Sequence, residues 1–154
     1  MKKEVRIIIA GGRDFCDYKL LVNSVNDILF DLERRNTETG IGNGSRESEK
    51  HKIKFISGTA RGADKLGEMF AAQRGYRVIR MPANWDMYGK GAGFVRNEQM
   101  AIYASGDDEG RESYGVLIAF WDGKSRGTKH MIDTATKYGL EVHVINYNKD
   151  VEEW

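Results

Sequence analysis

Residues 5–12 read VRIIIAGG, a short β-branched run that ends in two glycines. Such a run is typical of a strand buried on both faces that leads into a tight loop. Further strands are predicted at 54–57, 76–81, 115–120 and 141–147. Apolar residues recur at helical spacing between the strands, which predicts helices over 19–35, 63–74, 94–104 and 128–138.

Strands that alternate with helices on short connections predict a parallel sheet, because each right-handed crossover packs its helix back on the sheet. We therefore expect one α/β domain over residues 1–154, with a Rossmann-like, doubly wound, mainly parallel five-stranded sheet and helices on both faces. The polar stretches 36–52 and 105–114 are predicted to be mobile loops, and 148–154 a surface tail. The stretch 83–93 is predicted to be irregular.

Composition excludes several classes of protein. The chain carries 24 Lys and Arg against 23 Asp and Glu, a net charge of +1, which argues against binding nucleic acid through its phosphate backbone. Cys16 is the only cysteine and the three histidines lie far apart, so we expect no metal site and no required cofactor. The apolar runs are too short for a signal peptide or a membrane span, which predicts a cytoplasmic protein without membrane contact.

Three loops that follow predicted strands combine glycine, arginine and aspartate. They are AGGRDF at 10–15, SGTARGAD at 57–64 and FWDGKSRGT at 120–128. Because ligands of doubly wound sheets bind outside the carboxyl ends of the strands, we expect the loops to share one ligand site. Helix N-termini and guanidinium groups favour phosphate, so the predicted ligand is a nucleotide or a nucleotide-derived small molecule.

The second loop supplies glycines, hydroxyl groups and an arginine. Its candidate phosphate-binding residues are Ser57, Gly58, Thr59, Arg61 and Gly62. The alternative is that Asp64 caps its helix, that Gly62 permits close helix–sheet packing and that Arg61 is solvated.

The third loop opens a predicted helix. Its candidate binding residues are Asp122, Gly123, Ser125, Arg126, Gly127 and Thr128. The alternative is an exposed basic loop whose Ser or Thr caps the helix.

The first loop lacks the spacing of a GxGxxG fingerprint, so an ordinary NAD site is disfavoured. Gly11, Gly12 and Arg13 are candidates for ligand contact, although the two glycines could equally make the turn and Arg13 could pair with Asp14. In the segment 84–100, Trp85, Arg96 and Asn97 are candidates for closing the site. Whether Trp85 stacks on a base or packs against the protein stays open.

Several motifs together resemble the SLOG superfamily, the Rossmann-like group named for Smf/DprA and LOG proteins, and especially its YspA-like branch. They are GGRDF at 11–15, SGTARGAD at 57–64, PANW at 82–85, GKGAGFVRN at 89–97 and WDGKSRGT at 121–128. The resemblance spans most of the chain and implies a nucleotide pocket. Relatives include hydrolases of the N-glycosidic bond of nucleoside monophosphates, single-strand DNA binders and sensors of nucleotide signals. It also implies a homo-oligomer paired through helices on a sheet face.

The hydrolase branch carries a glutamate shortly after its GT pair. Aligned on Gly127 and Thr128, this chain has Met131 there, while Arg96 matches an arginine of the hydrolases. An N-glycosidase would therefore need another carboxylate, and the candidates are Asp14, Asp64, Glu68 and Glu98. We expect nucleotide binding first, hydrolysis as the alternative, and single-stranded nucleic-acid binding as the third hypothesis.

Overall fold

A computed structural model describes residues 4–38, 52–106 and 113–148, with side chains described as far as Arg35 in the first segment. Its strands are β1 (Glu4–Gly11), β2 (Ile53–Ser57), β3 (Arg77–Arg80), β4 (Ser113–Trp121) and β5 (Glu141–Asn146). Its helices are α1 (Tyr18–Glu38), α2 (Ala63–Arg74), α3 (Trp85–Tyr88), α4 (Ala92–Ser105) and α5 (Arg126–Lys137). A single 3-10 turn, Gly89–Gly91, joins α3 to α4.

The five strands form one parallel sheet in the order β3-β2-β1-β4-β5. The chain moves outward from β1 to β3 and then returns to the other side of β1 for β4 and β5. The predicted Rossmann-like, doubly wound fold is confirmed, and every described strand pair is parallel. In this topology the order reverses between β1 and β4, where a crevice opens outside the carboxyl ends of the strands.

The core has two parts, one on each face of the sheet. Ile7 and Ile9 of β1 belong to the cluster that includes buried residues of α1 and α2. Ile8 and Ala10 belong to the cluster that includes buried residues of α4 and α5. Because side chains of a strand alternate between faces, a strand covered on both sides needs a continuous apolar run. This explains the apolar run at residues 7–10, whereas Arg6 is buried with its guanidinium group donating to Glu4 and to the Tyr103 carbonyl.

The predicted loop boundaries were wrong at three points. Helix α1 continues through Glu38, so residues 36–38 are helical, and the rest of the predicted loop, 39–51, lies outside the described residues except for a turn at Lys52. Ser105 is the last residue of α4. Ser113 begins β4, where it pairs with Glu4 of β1, and its hydroxyl donates to the Ala104 carbonyl. The ends of these helices and strands consist of polar residues, so the spacing of apolar residues does not show where the helices and strands end.

The stretch 83–93, predicted to be irregular, contains α3 and the first residues of α4. Asn84 is the N-cap of α3, where its side-chain oxygen accepts a hydrogen bond from the Met87 amide at 3.0 Å. A helix this short buries no side chain, and an apolar pattern could not reveal it. The predicted tail is described only at Asn148, and 149–154 lie outside the described residues.

Polar groups near the amino end of the sheet pair with one another. Both carboxylate oxygens of Glu141 accept hydrogen bonds from Arg35, each at 2.9 Å. Burial alone would raise the pKa of Glu141, but hydrogen bonds from Arg35, Tyr114 and His143 lower it to about 2. This ion pair ties α1 to β5. None of the helices in the described parts of the chain is long and apolar enough to cross a membrane.

Candidate functional site

A cleft of about 570 Å³ lies outside the carboxyl ends of β1 and β4. We call it the main cleft. All three glycine-rich loops and the start of α4 contribute to its walls. The predicted site residues that line it are Gly11, Gly12, Arg13, Asp14, Asp64, Trp85, Arg96, Asn97, Asp122, Ser125, Gly127 and Thr128. Its position at the reversal of strand order is where doubly wound sheets bind their ligands.

A second cleft of about 560 Å³ adjoins the first, and we call it the side cleft. It is lined by the predicted residues Gly58, Thr59 and Arg61, together with Pro82 and Ala83. Four residues line both clefts, namely Arg13, Ala60, Trp85 and Arg96. Most of the residues predicted from the three loops and the 84–97 segment therefore surround one connected, two-lobed depression.

Two predicted residues of the second loop serve its folding instead of lining either cleft. Ser57 is buried, and its hydroxyl donates to Glu68 at 2.6 Å and accepts from the Thr59 amide at 3.0 Å. Gly62 has a φ of 81°, and a Cβ there would lie 2.3 Å from the Gly12 carbonyl oxygen. Gly62 therefore permits close packing, but against the loop that follows β1 and not between helix and sheet as the alternative stated.

Four further predicted residues also lie outside the described lining of both clefts, and one of them, Glu68, accepts hydrogen bonds from Ser57 and Arg80. Gly123 and Arg126 are exposed on the third loop and the first turn of α5. Glu98 accepts a hydrogen bond of 2.8 Å from the Tyr138 hydroxyl, which links α4 to α5. Glu98 is thus placed away from the cleft in which a catalytic carboxylate would have to act.

Arg96 is the side chain that connects the two clefts. Its Nη1 donates to the Gly58 carbonyl at 2.6 Å and its Nε donates to Asn97 Oδ1 at 3.2 Å. Burial lowers the pKa of Arg96, Asp64 opposes this, and the nearby charge of Arg13 lowers it further. Its Nη2 makes no hydrogen bond to any residue that the structure describes. Arg96 therefore keeps one donor group available at the cleft wall.

Asp64 lies beneath this arginine and is 5% exposed. One of its oxygens accepts a hydrogen bond of 3.1 Å from the Ala60 amide. Burial raises the pKa of Asp64 to about 6, although the Ala60 amide, Arg96 and Arg13 all favour the ionised form. The carboxyl group can therefore exchange a proton near neutral pH.

Arg13, on the first loop, lines the same two clefts as Arg96. Its side chain is exposed and forms no hydrogen bond or ion pair within the described ranges 4–38, 52–106 and 113–148. The predicted alternative, pairing with Asp14, is not what the structure shows, because Asp14 pairs with Arg61 at 3.4 Å instead. Both members of that pair are mostly exposed, so Arg61 is held only weakly.

The start of α5 closes the opposite wall. Ser125 is the N-cap and accepts a hydrogen bond from the Thr128 amide at 3.3 Å, so the predicted cap exists. Asp122 accepts from the amides of Lys124 and Ser125 at 2.9 and 2.8 Å, which fixes the loop. The Asn97 side chain donates to the Gly127 carbonyl at 3.3 Å and thereby joins α4 to α5. The positive end of the α5 dipole thus faces the main cleft.

Two large aromatic side chains stand at the rim of the main cleft. Trp85 is 52% exposed and Phe94 is 50% exposed. The Phe94 ring stacks on His130 with centroids 4.1 Å apart, whereas no ring contact of Trp85 occurs within the described segments. Exposed aromatic faces beside a cleft can stack on a planar ligand.

Comparison with known proteins identifies a relative. The chain is 35% identical over 142 residues to the Gene 61 protein of Mycobacterium phage D29, which covers 89% of this chain and 93% of that protein. The chain belongs to the family of this phage protein. No family model matches the chain. No solved structure matches it significantly.

Several residues of the main cleft were not predicted as site residues, among them Phe94, Met131 and Tyr147. Met131 is buried and lines the cleft one helical turn after Thr128, so the helical spacing of the two could have placed it there. Tyr147 follows β5 and lines the cleft through the position of that strand beside β4, which no local pattern reveals. Met131 is also the position at which the resemblance to the hydrolases places a glutamate, and an apolar side chain occupies it.

Proposed function

We propose that this protein binds a nucleotide or a nucleotide-derived small molecule in the main cleft, with the phosphate at Arg13 and Arg96. The base would stack on Trp85, and the start of α5 would add backbone dipoles around the anion. No resident cofactor is part of this proposal. Membership of the SLOG superfamily, which the sequence motifs resemble, is a part of it.

The observation that carries the proposal is the convergence of Arg13 and Arg96 on one cleft. The charge of Arg13 influences the pKa of Arg96, so the two guanidinium groups lie within electrostatic reach of each other. Like charges placed together are unfavourable unless anions offset them, and the ionised carboxyl group of Asp64 offsets the two arginines only in part, because its pKa is about 6. A charge-assisted hydrogen bond from each arginine to a phosphate would contribute about 1.5 to 3 kcal/mol.

The shape and the aromatic rim support a nucleotide over a bare anion. A volume of about 570 Å³ lies within the range of roughly 300 to 1,000 Å³ typical of small-molecule sites. Stacking of a base on an exposed aromatic face contributes about 1 to 3 kcal/mol. Inorganic phosphate would leave Trp85 and most of the cleft without contact.

A thermal-shift panel of the four ribonucleoside 5′-monophosphates tests the proposal. A ligand at a hundred times its Kd stabilises the folded chain by about 2.7 kcal/mol. Arg13→Met should reduce the shift at equal ligand concentration to less than about half, because it removes a contact to the phosphate. Folding should be unaffected, because Arg13 has no partner among the described residues. Arg126→Met is the matched control, an exposed arginine outside the described lining of both clefts. Absence of any shift, or equal loss in both variants, would overturn the proposal.

Asp64 favours hydrolysis as a second candidate function. Its carboxyl group lines the main cleft with a pKa of about 6, which suits a general acid or base near neutral pH. Chromatography of nucleoside monophosphates after incubation would show free base, lost in Asp64→Asn and retained in Asp133→Asn, whose exposed carboxylate lies outside the described lining of both clefts. Recovery of intact nucleotide would exclude this activity while leaving binding untouched.

A further inference from the structure

The side cleft is a second binding volume that the proposed nucleotide leaves empty. The two clefts have nearly equal volumes, about 570 and 560 Å³, and meet at Arg13, Ala60, Trp85 and Arg96. Each is large enough for one moiety of a small ligand. A phosphate held by Arg13 and Arg96 would therefore have open space on both sides.

We infer that the natural ligand carries a second moiety on its phosphate, as in a dinucleoside diphosphate or another diphosphate-linked nucleotide conjugate. This inference rests on the proposed function. The nucleoside occupies the main cleft, the phosphates lie at Arg13 and Arg96, and the second moiety extends into the side cleft. Trp85 lines both volumes, so its ring forms part of the wall that either moiety meets.

The chemistry of the side cleft matches a polar, partly anionic extension. Arg61 lines it and is 75% exposed, and among the described residues it pairs only with Asp14, at 3.4 Å in a solvent-exposed ion pair. A second phosphate could compete for this guanidinium at little cost, because exposed ion pairs contribute about 0 to 1 kcal/mol.

The backbone of the side cleft is also unusual. Thr59 has a φ of 66°, and it is the only non-glycine residue with positive φ in the described segments. β-branched residues rarely adopt this conformation, and such strain concentrates at ligand sites. The Ser57 hydroxyl and the Arg96 contact to Gly58 hold the loop just before Thr59, and the Ala60 amide donates to Asp64 just after it.

Titration calorimetry with three probes of one base tests the inference. The base is that of the best-binding monophosphate, and the probes are this monophosphate, its nucleoside 5′-diphosphate and the symmetrical dinucleoside diphosphate. We expect the dinucleoside compound to bind at least tenfold more tightly than the diphosphate, which carries the same phosphates without the second nucleoside. Equal affinity of these two would overturn the inference and leave the proposed function standing. Failure of all three probes to bind would overturn both.

A variant that narrows the side cleft but not the main cleft locates the effect. Ala83 lines the side cleft but not the main one, so Ala83→Phe should remove the tenfold advantage and change monophosphate affinity less than twofold. Ala72→Phe, the same change at an exposed position of α2, should retain the advantage. An advantage that persists in Ala83→Phe would contradict the placement. If that variant does not fold, the comparison of probes on the unaltered chain still decides the inference.

Discussion

Arg96 Nη1 donates a hydrogen bond of 2.6 Å to the carbonyl oxygen of Gly58. This bond joins the first turns of α4 to the loop that follows β2, two segments 38 residues apart. It sets the position of a guanidinium group that lines both clefts. The geometry depends on the absence of a side chain at Gly58, because a Cβ there would lie 2.7 Å from Arg96 Nη1 and 2.9 Å from Asp64 Oδ2.

Gly58→Ala should therefore weaken ligand binding more than it weakens folding. The added methyl group meets the ends of two side chains, Arg96 and Asp64, and their displacement should cost about 1 kcal/mol in the free energy of unfolding. The displaced guanidinium no longer faces the phosphate, and affinity for the best-binding monophosphate should fall at least tenfold. Calorimetric titration and urea unfolding measure the two quantities.

Gly91→Ala is the control for this substitution. Gly91 has a φ of −84°, and a Cβ there meets nothing within 4 Å. The affinity of the Gly91→Ala variant for the same monophosphate should equal that of the unaltered chain. A Gly58→Ala variant that binds as well as Gly91→Ala would show that the position of Arg96 does not matter.

The buried carboxyl group of Asp64 should make stability depend on pH. Its pKa is about 6 in the folded chain against an ordinary value of 3.8, so the folded state binds more protons between these values. Stability contributed by the protonated group is therefore present below about pH 4 and lost as pH rises through 6. Relative to Asp64→Asn, the unaltered chain should lose on the order of 3 kcal/mol between pH 4 and 8, from about 1.4 kcal/mol per pKa unit.

Urea unfolding of both chains across this pH range measures the difference. Asp14→Asn serves as the control, because Asp14 is mostly exposed in its pair with Arg61 and should follow the unaltered chain. A constant difference between the unaltered chain and Asp64→Asn from pH 4 to 8 would contradict the burial of this carboxyl group.

The sequence predicted the elements whose patterns are local. Helix α2 has the predicted bounds of 63–74, because its apolar face and the glycine that stops it, Gly75, are both visible in the sequence. The meeting of the three loops was predictable as well. Parallel strands end at the same edge of a sheet, so Arg13 and Thr128 reach one cleft although they lie far apart in the chain.

Side-chain direction was not predictable in the same way. Ser57 looked like a phosphate contact, but as the last residue of β2 its hydroxyl meets Glu68 of α2. Arg13 and Arg61 are both arginines of glycine-rich loops, and the sequence does not show which of them pairs with Asp14. The fold brings Arg61 to Asp14. Such choices depend on contacts between segments, which spacing along the chain does not encode.

Tyr147 and Gly12 provide a test of how the wall of the main cleft is packed. The Tyr147 hydroxyl is buried without a hydrogen-bond partner among the described residues, and a Cβ at Gly12 would lie 2.0 Å from it. Gly12→Ala should therefore cost about 1 to 3 kcal/mol in unfolding free energy through overpacking. Tyr147→Phe should be neutral or stabilise by up to about 1 kcal/mol, since it removes an unsatisfied polar group.

The double variant should recover part of the loss. Without the hydroxyl, the nearest Tyr147 atom to a Cβ at position 12 is Cζ at 3.2 Å, so the cost of Gly12→Ala should fall by at least about 1 kcal/mol. The double-mutant cycle is measured by guanidinium unfolding of the unaltered chain, the two single variants and the double variant. Strict additivity of the two substitutions would mean that Tyr147 does not occupy this position.

The most direct test of the central claim is a crystal structure of the chain with its best-binding nucleotide. We predict a phosphate within 3.2 Å of guanidinium nitrogens from both Arg13 and Arg96, in the range of charge-assisted hydrogen bonds. The nucleoside should lie in the main cleft beside Trp85. Density for the nucleotide elsewhere, with both arginines facing solvent, would contradict the account.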